Sequence, residues 1–322
     1  MKPRLLITGA NGQVGWRLQS MLVSLGDVTA LTREHLDLGD LDAVTRTLHD
    51  LHPDVVVNAG AYTAVDKAES EPDLALAVNA LAPGRMAEEL ARTGGLLLHY
   101  STDYIFDGTK LSPYVETDSP APLNVYGLTK LKGERLISAS GCDHLILRTT
   151  WVYDTRGKNF LRTVLRLARE KEELRMVGDQ VGAPTWASAI AEATASILVK
   201  SLSQRETKGQ PLRGLYHLTA AGQTSWAGFA KAIIDDYRTE YQAGQEDFDL
   251  VMRSIHSEAG PEFSQPLRAQ LVTPIRTEEY PTPARRPRYS VLSNAKVQTA
   301  FGVKMSDWRE QLRLALRTAI RG

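Results

Sequence analysis

Tyr126 and Lys130 stand four residues apart in NVYGLTK (124–130). On a helix, four residues turn through about 400° and rise about 6 Å, so the phenol and the ammonium share one face. An ammonium near a phenol stabilises the phenolate and draws its pKa from about 10 towards working pH. Such a pair can move a proton, and a general acid or base works best when its pKa lies near that pH. Alone, the spacing is weak: with 11 tyrosines in the chain and lysine at roughly 6% of residues, one such pair has about even odds of arising by accident. Only Tyr126 has a lysine four residues on. The elements around it must decide what the pair means.

Those elements read as strands alternating with helices. RLLIT (4–8), VTAL (28–31), DVVVNAG (54–60), GLLLHYST (95–102), HLILRTTWVY (144–153) and GLYHL (214–218) are short apolar runs of strand type. LDAVTRTLHDL and PDLALAVNALAPGRMAEELAR lie between them at helical spacing. The alternation predicts an α/β fold, a Rossmann-type doubly wound parallel sheet with helices on both faces. Ligands in such folds sit outside the carboxyl ends of the strands. There the junction TGANGQVG puts Gly9, Gly12 and Gly15 between the first strand and the first helix, with Asn11, Gln13 and Val14 between them. Glycine permits positive φ and a close backbone approach, and helix N–H groups can hold a pyrophosphate. The competing account of the triplet is a turn plus helix packing. A ribose-binding acid is expected about 20 residues on, yet the second strand ends ALTRE, with Thr32 and Arg33 there. Arg33 either pairs with a 2′-phosphate, favouring NADPH over NADH, or is a solvated surface residue.

Composition narrows the classes. The chain has 322 residues, with Lys plus Arg and Asp plus Glu both at 38, so no overall field draws it to nucleic acid or an anionic membrane. A local basic pocket for a small anion stays open. The single cysteine, Cys142, leaves no internal disulfide and fits a reducing compartment. The apolar run after Met1 is too short for a signal segment, and no stretch approaches the roughly 20 apolar residues of a membrane helix. A cytoplasmic protein is expected.

TGANGQVG, NAGAYTAVDKAESEP, HYSTDYIFDG, APLNVYGLTKLKGE, LRTTWVY, DQVGAPT and YPTPARRPRYS recur in order along nearly the whole chain. Together they resemble the dTDP-4-dehydrorhamnose reductase family of extended short-chain dehydrogenases/reductases. The glycine and Y-x-x-x-K motifs belong to the whole superfamily; VDKAESEP, APLNVYG and YPTPARRP are narrower. The resemblance implies NAD(P)H-dependent reduction of the C4 keto group of dTDP-6-deoxy-L-lyxo-4-hexulose to dTDP-L-rhamnose. It makes Tyr126 the proton donor, with Lys130 and Thr102 as its partners. Lys130 can also bond the nicotinamide ribose, and Thr102 can donate to the developing oxyanion. The resemblance also implies cofactor contacts at Asp37, Leu38, Ala61, Tyr62, Thr63 and Tyr100. It implies substrate contacts at Asp103 and Trp151, and one at Asn159 that a helix N-cap would explain equally well.

After Tyr153 the sheet rhythm stops. The expected division is a cofactor domain of residues 1–151 and 186–218, and a smaller substrate domain of 152–185 and 219–322. The stretch 242–273 reads as an inserted loop without an assigned role. Arg285, Arg286 and Arg288 form a basic cluster that either meets ligand or packs a loop. Some members of the family are dimers joined through a metal on glutamates. At the aligned positions this chain has Ser188 and Ala295, so no metal and a monomer are expected. Two rivals share the scaffold. A regulatory subunit like the partner of methionine adenosyltransferase is opposed by the joint presence of Thr102, Tyr126 and Lys130. A dehydratase is opposed by the single acid, Asp103, in STDYIF; another reductase or an epimerase of sugar nucleotides is the remaining variant.

Overall fold

The computed structural model describes residues 2–207, 213–245 and 263–321. Six aliphatic runs form one parallel sheet: β1 Arg4–Thr8, β2 Asp27–Leu31, β3 Val55–Asn58, β4 Leu96–Thr102, β5 Asp143–Thr149 and β6 Gly214–His217. Their order is β2-β1-β3-β4-β5-β6, with every neighbouring pair parallel. Every residue of β3 and β4 is buried, which is why these runs lack a polar alternate face. The order reverses between β1 and β3, and strand ends diverging at such a point leave room for a ligand. The doubly wound α/β class is therefore present.

Four helices position the site: α1 Gln13–Leu22, α2 Leu41–Leu51, α3 Ala82–Thr93 and α4 Val125–Ala139. Asp40 caps α2 by accepting from the Ala43 N–H at 2.9 Å. Leu6, Val56, Leu97 and Ile146 of the sheet pack with Met86 and Leu90 of α3. Burying each such side chain contributes about 1.5–3 kcal/mol. The helical run before α3 is not uniform: Pro72–Leu76 passes through a π-helical turn at Ala77–Leu81. That wider turn carries Asn79, which is fully buried.

The chain forms two compact units. The first holds Met1–Thr150, Ile190–Thr219 and Thr282–Met305; the second holds Trp151–Ala189, Ala220–Pro281 and Ser306–Gly322. Thr282–Met305 thus falls outside the smaller unit, contrary to the sequence reading. Its backbone is held in the first unit, where Tyr114 N–H donates to Val291 O and Ser293 N–H to Tyr114 O, both at 2.8 Å.

In the second unit, Leu161, Val164 and Leu165 line one face of helix Phe160–Glu170 and join Phe229, Ile233 and Leu312 in a core. Two further sequence expectations change here. The run 144–153 is not one strand: Trp151 has φ 44°, and Val152–Tyr153 pairs instead with Thr185–Trp186. Such a conformation costs a bulky residue on the order of 1–2 kcal/mol. Stacking of Trp151 on Trp226, with ring centroids 3.5 Å apart, helps to offset it. The supposed loop 242–273 begins inside helix Trp226–Gln245 and ends in strand Leu271–Ile275, paired in parallel with Glu173–Val177. Its middle, 246–262, lies outside the described residues. No described helix is long and apolar enough to cross a membrane.

Candidate active site

The glycine loop is built to leave space. Gly9 ends β1 at φ +67, and a Cβ there would lie 2.6 Å from Gly60 Cα, just after β3. A Cβ on Gly15 would lie 2.1 Å from the Gly9 carbonyl oxygen. The first and third glycines therefore let the turn and α1 close against the divergence of β1 and β3. Gly12 is the N-cap of α1, without a side-chain cap and with no acidic residue in the first turn. The helix thus directs the positive end of its dipole and its first N–H groups outward, a fit for a pyrophosphate. Asn11 is exposed, whereas Gln13 and Val14 are half-buried in that first turn.

Thr102 closes β4 and Tyr126 opens α4; the Thr102 hydroxyl donates to Asp103 Oδ1 and accepts from Tyr104 N–H, both at 3.1 Å. Asn124 starts α4 by accepting from Gly127 N–H at 2.8 Å. A Cβ at Gly127 would sit 2.1 Å from Tyr104 O, so only glycine lets the helix start this close to β4's end. Tyr104 meets Tyr126 edge-on at 5.7 Å. Burial pushes the Tyr126 phenol up to about 12, although the nearby Thr102 hydroxyl favours the phenolate. The lowering expected from Lys130 is not seen, because its Nζ is engaged by Tyr100 O and His99, and the phenol stays protonated through the neutral range. Lys130 lies one turn along, 1% exposed, with Nζ donating to Tyr100 O at 2.6 Å and 3.0 Å from His99 Nε2. Burial draws its ammonium down to about 7. Asp103, buried beside Thr102 and Ser290, is pushed up by desolvation to about 7. It can accept from or donate to a hydroxyl at neutral pH.

The narrow motifs lock these groups in place. Asp66 of VDKAESEP pairs with Arg286 of YPTPARRP, Oδ2 to Nη2 at 2.8 Å. Glu69 of the first motif accepts from Val125 N–H at 2.8 Å, and Asn124 Nδ2 donates to Arg285 O at 2.7 Å. All three segments therefore converge on the N-terminus of α4, where Tyr126 sits. Of the basic cluster, Arg286 is structural, also bonding Tyr104, while Arg285 and Arg288 are exposed.

The family model described as RmlD substrate binding domain matches residues 2–320. The chain belongs to the RmlD family. It is 49% identical over 314 residues to the dTDP-4-dehydrorhamnose reductase of Burkholderia thailandensis, covering 98% of both chains. It is 40% identical to the enzyme of that name from Escherichia coli K12, over 95% of this chain and 94% of that one. The solved dTDP-4-dehydrorhamnose reductase of Bacillus anthracis in complex with NADP superposes with TM-score 0.81 at 31% identity, covering 98% of this chain and 99% of that one.

Several predicted positions in this RmlD-family chain have other employment. Arg33 is exposed and pairs with Asp37 at 3.3 Å, and Asp37 also accepts from Gly39 N–H. Leu38 is buried against Gly60. Ala61 and Tyr62 are half-buried and Thr63 is exposed. The Tyr100 side chain is tied to Thr194 at 2.7 Å inside the protein, so a cofactor contact by its phenol is not what its position offers; its carbonyl instead serves Lys130. Asn159 is an N-cap, accepting from Arg162 N–H at 3.2 Å while Nδ2 donates to Asp154 O and Arg156 O. Trp151 and Asn159 lie in the second unit.

Sequence reasoning passed over Asn79, His99 and Asn58. Asn79 Oδ1 accepts from Tyr62 N–H at 2.9 Å and its Nδ2 donates to Tyr62 O at 3.0 Å. It thereby fixes the segment 61–63 after β3. The available signal was a polar amide on an otherwise apolar helical face.

Proposed function

We propose that this chain reduces the C4 keto group of dTDP-6-deoxy-L-lyxo-4-hexulose with NADPH, giving dTDP-L-rhamnose. The observation that carries this is Tyr126 at the start of α4 beside the Thr102 hydroxyl at the carboxyl end of β4, in a chain 40–49% identical to proteins named for that reductase. Those relatives favour the reductase and not the regulatory subunit or the epimerase. NADPH supplies a hydride to C4 when bound. As the carbonyl π pair moves onto oxygen, Tyr126 donates its phenolic proton there. The Thr102 hydroxyl, which donates to Asp103 Oδ1 here, would turn from that carboxylate to donate to the forming oxyanion. Following the resemblance, we assign Lys130 to the nicotinamide ribose, Asp103 to a sugar hydroxyl and Trp151 to an apolar face of the deoxysugar. Purified protein is expected to oxidise NADPH only when the hexulose is supplied.

Gly9, Gly12 and Gly15 would hold the cofactor's pyrophosphate and Arg33 its 2′-phosphate. The exposed Arg33–Asp37 pair is worth no more than about 1 kcal/mol, so a phosphate dianion can displace it. NADPH is therefore expected to give the higher kcat/KM, and Arg33→Ala is expected to shrink its advantage over NADH by about tenfold. An unchanged ratio would return Arg33 to the solvated surface.

The enzyme is further proposed to be a cytoplasmic monomer without a bridging metal, because Ser188 is buried and Ala295 offers no side-chain oxygen. Light scattering is expected to give one chain's mass with and without EDTA; a chelator-sensitive dimer would refute this.

A further inference from the structure

A chain of buried hydrogen bonds runs from the carboxyl ends of β1 and β3 through the middle of β4 to Lys130. Thr8 Oγ1 donates to Asn58 Oδ1 at 2.7 Å, and Gly60 N–H donates to the same oxygen at 3.2 Å. Two donors on one atom identify it as the amide oxygen, so Asn58 Nδ2 is the group facing His99 Nδ1 at 3.0 Å. An amide nitrogen only donates, and His99 Nδ1 must therefore accept. In a neutral ring the proton is then on Nε2, pointing at Lys130 Nζ 3.0 Å away. An ammonium has three donors and no acceptor, so two N–H groups would meet head-on. A neutral amine resolves the conflict: its lone pair accepts from His99 Nε2–H, and its own N–H donates to Tyr100 O.

We infer that His99, oriented by Asn58 and Thr8, is a positioning residue that holds Lys130 as a neutral amine in the cofactor-free protein, so that NADPH binding takes up one proton there. Burial acts in the same direction on both partners, lowering the Lys130 ammonium to about 7 and His99 well below the usual imidazole value. Around Lys130 the other titratable groups are Tyr126 and Glu134 on its own helix, with Arg148 of β5 bonded to Glu134. Glu134 alone favours the ammonium, and Arg148 already neutralises it. An anionic cofactor with ribose hydroxyls to accept from Nζ supplies the missing stabilisation of the charged form. The inference rests on the cofactor proposed above, but its first test does not.

That test is a long-range 1H–15N spectrum of the cofactor-free protein at pH 8. His99, assigned by its absence in His99→Leu or, if that variant does not fold, in His99→Gln, is expected as the Nε2–H tautomer. An Nδ1–H tautomer or a charged ring would overturn the inference. The second test is calorimetry of NADPH binding at pH 8 in two buffers of different ionisation enthalpy. Wild type should take up close to one proton. Asn58→Asp should take up almost none, because its carboxylate accepts from His99 Nδ1–H and turns Nε2 into an acceptor for the ammonium. NADPH binding without proton uptake in wild type, or uptake unchanged in Asn58→Asp, contradicts the inference. Failure to bind NADPH at all would instead sink the proposed cofactor and leave the tautomer result to decide.

Discussion

Tyr126→Phe is expected to lower kcat by about 10²–10⁴-fold, the usual range for losing a positioned general acid, while NADPH still binds. The phenyl ring keeps the edge-on contact with Tyr104 and loses only the hydroxyl. Because burial pushes the phenol up to about 12, it is protonated throughout pH 6–9. The deficit should therefore be uniform across that range, without a limb belonging to Tyr126. Steady-state kinetics with the hexulose and a fluorescence titration with NADPH separate the two effects. A variant with unimpaired kcat would remove Tyr126 from proton delivery, and lost NADPH binding would make it a cofactor residue first.

Arg148→Ala is expected to destabilise the protein by about 3–5 kcal/mol, the cost of leaving a buried charge unpaired. Arg148 and Glu134 meet in a double contact, Nε to Oε1 at 2.9 Å and Nη2 to Oε2 at 2.7 Å, and both are nearly inaccessible. Ser101 Oγ also donates to Glu134 Oε1, so the carboxylate is anchored to β4 as well as β5. Urea unfolding measures this. A Glu134→Leu/Arg148→Met double variant should recover most of the loss, since apolar replacements leave nothing unpaired. A single-variant cost near zero would mean that the pair does not fasten α4 to the sheet.

What the sequence made legible is what local pattern controls. All six strands, the glycine turn and the helix bearing Tyr126 follow from runs of apolar residues and their punctuation. The sheet's class followed because alternating elements admit few topologies. Trp151 was misread because a strand pattern does not reveal one residue at φ 44°, which stacking on Trp226 supports. The strand at Leu271–Ile275 was missed because its partner, Glu173–Val177, is about a hundred residues away. The polar partners around the site were illegible for the same reason. Asp66 and Arg286 are 220 positions apart, and His99 lies 41 from Asn58 and 31 from Lys130. The motifs that contain Asp66 and Arg286 were visible as words. Their meaning, a clamp on the start of α4, needed the fold.

The fate of deuterium from NADPD tests the central claim most directly. The hexulose, generated in situ from dTDP-glucose by upstream enzymes, would be incubated with purified protein and NADPH deuterated on the transferring face. Direct reduction with Tyr126 as acid predicts dTDP-rhamnose carrying one deuterium at C4 and none on its hydroxyl after work-up in ordinary water. No product, or product with C4 hydrogen drawn from solvent, would contradict the account.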